Sequence, residues 1–177
     1  MKEPEVSFRV ALYYIKNGYT SEDVQVFIDG AHVRIKGKVQ FKVQEFLRGQ
    51  NCIKIDDTLK RWQGVYEVEG YKSKIIVKSR PGFGDVIVNL KDGRQLYIES
   101  KKGKSGKSSS EYPLMREAIG QLMTGCELSD NIIPCVAVPF TEKSLELAER
   151  WSMLKQMKMI GIKFLLVKDD GKLEYIG

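Results

Sequence analysis

Two alternating runs joined by a tight-turn dipeptide constrain the fold more than any other part of this sequence. The runs extend from Asp85 to Leu90 and from Gln95 to Lys101, and Asp92-Gly93 lies in the short connection between them. Alternation of apolar and polar residues is typical of a half-buried strand, and Asp-Gly is a preferred dipeptide of tight hairpin turns. This segment therefore predicts an antiparallel β-hairpin.

Helical and strand patterns fill most of the remaining chain. Apolar residues at helical spacing predict helices, and alternating or short buried runs predict strands. The predicted helices cover 6–16, 38–48, 111–124 and 144–158, and the predicted strands cover 24–28, 32–36, 51–55, 62–69, 73–79, 132–138 and 162–167, with a last short strand after Gly171. Strands 24–28 and 32–36 are predicted to pair around Asp29-Gly30. The fold class expected is α/β, with a mixed central sheet flanked by helices.

The length of 177 residues is enough for one buried core and predicts a single domain. Within it, 1–37 is interpreted as an N-terminal extension of a helix plus a hairpin, and 38–177 as the main core. No apolar run reaches the length of a membrane span, and the N-terminus lacks a secretory pattern, so a cytoplasmic location is expected. The widely spaced Cys52, Cys126 and Cys135 are predicted to be reduced, buried residues and not zinc ligands.

The charge balance favours a polyanionic partner, because the formal net charge is +6. The segment 102–110 contains only Lys, Gly and Ser, which predicts a basic loop directly after the hairpin. Its lysines Lys102, Lys104 and Lys107, together with Arg80, are candidate contacts to nucleic-acid phosphates. The alternative is an ordinary solvated loop without a binding role.

Two carboxylates and one ammonium are predicted to converge at one end of the hairpin. Glu99 and Lys101 lie two residues apart in a strand and so share a face, and Asp85 begins the strand opposite them. Carboxylate oxygens are suitable ligands for Mg²⁺, for which Mn²⁺ can substitute, and the backbone oxygen of Ser100 is a further candidate ligand. A neighbouring lysine can orient an attacking water or stabilise charge on a phosphoryl group.

The stretch Gly84-Asp85 followed by Tyr97-Ile98-Glu99-Ser100-Lys101 resembles the PD-(D/E)XK, or restriction-endonuclease-like, nuclease superfamily. The resemblance covers roughly 39–138 and implies a restriction-endonuclease-like core. It also implies that Asp85 and Glu99 are metal ligands and that Lys101 is the catalytic lysine. The family often has proline immediately before the first acidic residue, whereas here Gly84 takes that place and Pro81 lies further upstream.

Two further candidates come from the same resemblance, each with a weaker match. The family often supplies an acidic residue from the helix before the hairpin, and Glu45 is the acidic residue of the predicted helix 38–48. Some members carry a Q-x-x-x-Y motif on the following helix, where this chain has Gln121 but Gly125 in the fifth place. The alternatives are a solvated glutamate and a surface amide.

The sequence therefore predicts a Mg²⁺-dependent endonuclease that hydrolyses double-stranded DNA, either restriction-like or structure-specific, and acts as a homodimer without a membrane partner. A twofold dimer would match the symmetry of a duplex. One alternative is a non-catalytic DNA-binding module that retains the nuclease fold. Another is an unrelated α/β protein with a chance motif, in which the three residues lie far apart in space. A purely structural alternative for the motif is that Asp85 caps a strand while Glu99 and Lys101 form an ordinary solvent-facing pair. The sole histidine, His32, is interpreted as structural.

Overall fold

The helices and strands account for most of the residues that the computed structural model describes, which are 1–56, 62–79, 84–103, 111–125, 127 and 129–177. The helices are α1 Glu3–Lys16, α2 Gly30–Val33, α3 Val43–Gly49, α4 Glu111–Gly125, α5 Glu142–Ser152 and α6 Lys155–Ile160. Among these described residues, no helix has the length and apolar character needed to cross a bilayer.

The strands form one large sheet and one small hairpin. They are β1 Val24–Phe27, β2 Arg34–Ile35, β3 Lys38–Val39, β4 Cys52–Lys54, β5 Gly64–Val68, β6 Lys74–Lys78, β7 Val86–Asn89, β8 Gln95–Ser100, β9 Ile132–Pro139, β10 Lys163–Val167 and β11 Leu173–Ile176. The described part of the large sheet has the order β11-β10-β9-β8-β7-β1-β6-β5-β4, and β2 and β3 pair with each other in a separate two-stranded sheet.

The large sheet is mixed, as the sequence predicts. β8, β9 and β10 run parallel to one another, whereas β7 and β8 form the predicted antiparallel hairpin. Helices cover both faces, because α1 packs against β1, β7, β8 and β9 while α4 and α5 cover the other face. The expected α/β class with a mixed sheet flanked by helices is confirmed.

Alternation along β8 divides its side chains between the two faces. Leu96 and Ile98 are buried in the cluster that includes α1, whereas Tyr97 is buried in the cluster that includes α4 and α5. Glu99 is two residues from Tyr97 and therefore points to the α4 side. The register pairs Val86 with Ile98, so the residue before β7 faces the end of β8.

The predicted hairpin over 24–36 is wrong. β1 lies in the middle of the sheet, parallel to β6 and antiparallel to β7. Asp29-Gly30 is not a hairpin turn, because the Asp29 carboxylate accepts a hydrogen bond from the Ala31 N–H and caps α2. α1 and β1 are consequently integral to the core and not an extension of it.

Two predicted helices also differ from the structure. The helix expected over 38–48 is reduced to α3, because 38–39 pair with β2 and Phe41 stacks on Phe8 ahead of the helix. The helix expected over 144–158 is divided into α5 and α6 at Leu154, whose backbone is extended at ψ 135°. Cys52 and Cys135 are buried as expected, whereas Cys126 falls outside the described residues.

Candidate active site

Asp85 lies directly before β7 and is fixed by hydrogen bonds to two neighbouring strands. Its carboxylate accepts a hydrogen bond from the backbone N–H of Ser100, at 2.8 Å. Its backbone carbonyl accepts a hydrogen bond from the N–H of Phe27, also at 2.8 Å. The Asp85 side chain is therefore held against the end of β8, where Glu99 and Lys101 lie.

Lys101 follows β8 and is the centre of a charged cluster. Its side chain is only 5% exposed, and its Nζ lies 3.3 Å from Oε1 of Glu99. The same Nζ lies 3.6 Å from Oε1 of Glu117 on α4 and 3.9 Å from Oε1 of Glu3 on α1. Three elements thus meet at one buried ammonium.

The burial of this pair contradicts the alternative of an ordinary solvent-facing ion pair. The Glu99 side chain is only 12% exposed, and the backbone N–H of Lys101 is bound to the carbonyl of Ala137 on β9. The structure brings Asp85, Glu99 and Lys101 together at the end of β8, so these three residues do not lie far apart in space.

Burial dominates the electrostatics of the cluster. It raises the pKa of Asp85 well above the ordinary value, the Glu99 carboxylate raises it further, and the Ser100 N–H offsets only part of this. Burial also raises the pKa of Glu99, although Lys101 opposes the shift. Burial would lower the pKa of Lys101, but the carboxylates of Glu3, Glu99 and Asp85 outweigh it and the net pKa is raised.

The donor set suits a divalent cation by its chemistry. The ammonium of Lys101 faces the carboxyl groups of Asp85, Glu99, Glu3 and Glu117, so the cluster has more negative than positive groups. Carboxylate oxygens are the ligands that Mg²⁺ prefers. The Ser100 hydroxyl is also buried without a hydrogen-bond partner among the described residues.

The spacing of these carboxyl groups is not that of a closed ligand shell. Within the described ranges, no group of three or more Asp, Glu, His or Cys side chains is already arranged to hold a metal ion. Mg²⁺ commonly retains several waters and takes only one or two protein carboxylates, so a closed shell is not required. The carboxyl oxygens therefore fit Mg²⁺ in donor type, although the described residues form no preformed ligand group.

Tyr97 holds in place the backbone directly before Asp85. Its hydroxyl accepts a hydrogen bond from the N–H of Gly84 at 2.5 Å and donates one to the carbonyl of Gly125 at 2.8 Å. Gly84 lies so close to the ring that an added Cβ would be 2.6 Å from Cε1 of Tyr97. Glycine before Asp85 is thus required by a packed aromatic ring, which the sequence alone does not reveal.

The other predicted site residues are more dispersed. Gln121 is exposed on α4, one turn beyond Glu117, and Lys102 is exposed directly after Lys101. Glu45 forms an exposed ion pair with Lys42 on α3, at 2.8 Å, which agrees with the alternative of a solvated glutamate. The remaining predicted phosphate contacts fall outside the described residues; they are Arg80, Lys104 and Lys107.

Three members of the cluster were not predicted from the sequence. Glu3 and Glu117 contact Lys101, and Nδ1 of His32 lies 3.2 Å from Oε1 of Glu3. Glu3, and not Glu45, is the acidic residue that a helix before the hairpin brings to the cluster. This placement follows only from the pairing of β1, because a helix that leads into a strand parallel to β8 begins at the edge where β8 ends.

Comparison with protein-family models gives no match for this chain, and comparisons with curated proteins and with solved structures give none either.

The contact between Gly84 and Tyr97 predicts the effect of Gly84→Ala. The new methyl group would displace a ring that is hydrogen-bonded on two sides, so we expect a loss of about 1–3 kcal/mol in the free energy of unfolding. Urea denaturation measures the change. Gly120→Ala on α4 is the control, because its methyl meets nothing within 4 Å and should raise stability by up to about 1 kcal/mol. Equal stability of both variants would contradict the contact.

The raised pKa of Asp85 predicts a pH-dependent loss of stability in a metal chelator. A carboxyl whose pKa is raised by folding contributes stability below its ordinary pKa and loses that contribution as the pH rises through the raised value. Asp85→Asn removes this titration. We therefore expect the stability of the variant relative to wild type to increase as the pH rises from the ordinary pKa of aspartate towards neutrality. Thermal unfolding at each pH measures it, and a difference that is constant or shrinks would contradict the prediction.

Proposed function

We propose that this protein is a Mg²⁺-dependent endonuclease that hydrolyses DNA phosphodiester bonds and has a restriction-endonuclease-like core. The observation that carries the proposal is the buried Lys101 ammonium, which lies among carboxylates at the adjoining ends of β7 and β8. Buried carboxyl groups with raised pKa values, such as Asp85 and Glu99, concentrate at functional sites. Carboxylates in excess of the one lysine are oxygen donors available to a metal ion.

The residues have separate roles in this proposal. Asp85 and Glu99 would hold the metal ion, with Glu3 as an additional carboxylate from α1. Bound Mg²⁺ supplies Lewis acidity that polarises the phosphoryl group and lowers the pKa of water. Lys101 is held by its carboxylate partners at a fixed position, where its ammonium can orient the attacking water and stabilise charge on the phosphoryl oxygens.

Charge supports DNA as the substrate. The formal net charge of +6 favours association with a polyanion, and Lys102 lies exposed beside the cluster. Lys104, Lys107 and Arg80 are proposed to contribute further phosphate contacts, and Gln121 to line the site from α4. Cleavage of both strands would follow most simply from a homodimer, since a twofold axis places one site at each strand.

Cleavage of supercoiled and linear double-stranded DNA with Mg²⁺ or Mn²⁺ tests the proposal. We expect metal-dependent cutting by the wild type, and a loss of roughly 100-fold or more in Glu99→Gln and in Lys101→Ala, because each removes a charged group from the reacting centre. Glu67→Gln on β5 and Lys74→Ala on β6 are matched controls, since they change the same residue types on strands outside the cluster. Both controls should cut at the wild-type rate.

Other outcomes would identify the alternatives. Salt-sensitive DNA binding without any cutting, unchanged by substitution of Glu99 or Lys101, would favour the non-catalytic DNA-binding module. Cutting of RNA in preference to DNA would overturn the assigned substrate while leaving the hydrolytic site intact. Equal losses in the cluster variants and their controls would contradict the assignment of the site.

Metal binding can be measured separately from activity. Mg²⁺ that binds the folded state at ten times its Kd stabilises by about 1.4 kcal/mol, which raises Tm by roughly 3–6 °C for a chain of this size. We expect this rise for the wild type and for Glu67→Gln, and a markedly smaller rise for Glu99→Gln. A Tm that does not respond to Mg²⁺ in the wild type would contradict the proposed metal site.

A further inference from the structure

The small hairpin of β2 and β3 is separate from the large sheet and exposed to solvent. Its six residues are Arg34, Ile35, Lys36, Gly37, Lys38 and Val39, and even its apolar side chains, Ile35 and Val39, are about half exposed. Three of the six are cationic and none is acidic. Because these residues are exposed, a role in the hydrophobic core does not explain the sequence of the hairpin.

The base of the hairpin is tied to the cluster around Lys101. The Val33 carbonyl accepts hydrogen bonds from the N–H groups of Gln40 and Phe41, which closes the ribbon. The Lys2 ammonium donates to the Gln40 carbonyl, and His32 contacts Glu3 at 3.2 Å. Because Glu3 also contacts Lys101, the ribbon projects from the immediate surroundings of the proposed site.

The turn of the hairpin holds Lys36 in an unfavourable backbone conformation. Lys36 and Gly37 have φ angles of 46° and 81°, the two positive values of a type I′ turn. The first position of such a turn prefers asparagine, aspartate or glycine, and other side chains adopt it at a conformational cost. Lys36 occupies this unfavourable position and places a positive charge at the tip of the hairpin.

The shape and charge of the ribbon match a groove of duplex DNA. The major groove admits a two-stranded β-ribbon, and the two residues of each strand extend about 7 Å, which spans about two base pairs at 3.4 Å each. Directly paired residues share a face, so Arg34 lies beside Val39 and Lys38 beside Ile35. Each face therefore carries one cation for phosphate and one apolar side chain for sugar or a thymine methyl group.

We propose that residues 34–39 form a DNA-binding ribbon that enters the major groove beside the scissile phosphate and positions the duplex on the Lys101 cluster. This inference rests on the proposed nuclease function for the location of the scissile phosphate. The duplex contact itself rests on the exposure, charge and anchoring of the ribbon. Arg34, Lys36 and Lys38 contact backbone phosphates, and the anchoring through His32 and Lys2 sets the distance from the groove to the cluster.

The test compares two triple variants that each remove three positive charges. The first combines Arg34→Gln, Lys36→Asn and Lys38→Gln, and its Asn-Gly dipeptide preserves the type I′ turn. The control combines Lys16→Gln, Lys155→Gln and Lys158→Gln, which are exposed lysines at the end of α1 opposite Glu3 and on α6. Both variants should unfold close to the wild-type Tm, because every substituted side chain is exposed. The ribbon variant should unfold slightly above it, because asparagine adopts the first position of a type I′ turn more readily than lysine.

Binding to a short duplex is measured in a chelator over a range of salt concentrations. Each lost phosphate contact lowers the slope of log K against log salt by about 0.9, so the ribbon variant should lose about 2.7 and bind at least roughly tenfold more weakly at low salt. The control variant should keep the wild-type slope. Equal slopes for the two variants would overturn the proposal, and so would an equal loss of affinity for single-stranded DNA, which has no major groove.

Cleavage assays with Mg²⁺ separate this inference from the proposed function. If the wild type cuts DNA, the ribbon variant should show a raised KM with kcat within about twofold of wild type, since the Lys101 cluster is unchanged. A KM of the ribbon variant equal to that of the wild type would contradict DNA binding by the ribbon but not the proposed nuclease function. Duplex binding that depends on the ribbon, without any cutting, would contradict the nuclease function but not DNA binding by the ribbon. Absence of DNA binding by the wild type would contradict both proposals.

Discussion

The pairing of the buried Lys101 ammonium with carboxylates is the interaction on which the rest of the structure depends. A charge removed from water is tolerated only when oppositely charged groups surround it closely. Here those groups come from the end of β8, from the first residue of α1 and from the middle of α4. One cation therefore determines how two helices on opposite faces of the sheet approach the same edge.

Local sequence patterns predict the parts of the site that one hairpin contains. The alternation around Asp92-Gly93 was sufficient to place Glu99 and Lys101 on one face and Asp85 opposite them, because strand periodicity and turn chemistry act over a few residues. The mixed sheet with flanking helices also followed from the order of elements. Each of these inferences depends on neighbours in sequence.

Long-range pairing explains what was not predicted. β1 pairs with β6 and β7, which lie about fifty and sixty residues later, and no local signal distinguishes that arrangement from a hairpin with 32–36. If β1 is assigned to a hairpin with 32–36, α1 is predicted to lie outside the core and Glu3 outside the site. The requirement for glycine at position 84 is also a long-range effect. A Cβ there would collide with the ring of Tyr97, which lies thirteen residues later in the chain.

The chain distance between Glu3 and Glu117 has a consequence for how the site comes into existence. Lys101 contacts both residues, and the strand that follows α1 must pair in the centre of the sheet before Glu3 can arrive. Domains that depend on contacts between distant residues fold more slowly than domains built from local contacts. Because Glu117 is synthesised after Lys101, the charged cluster can be complete only when synthesis has passed α4.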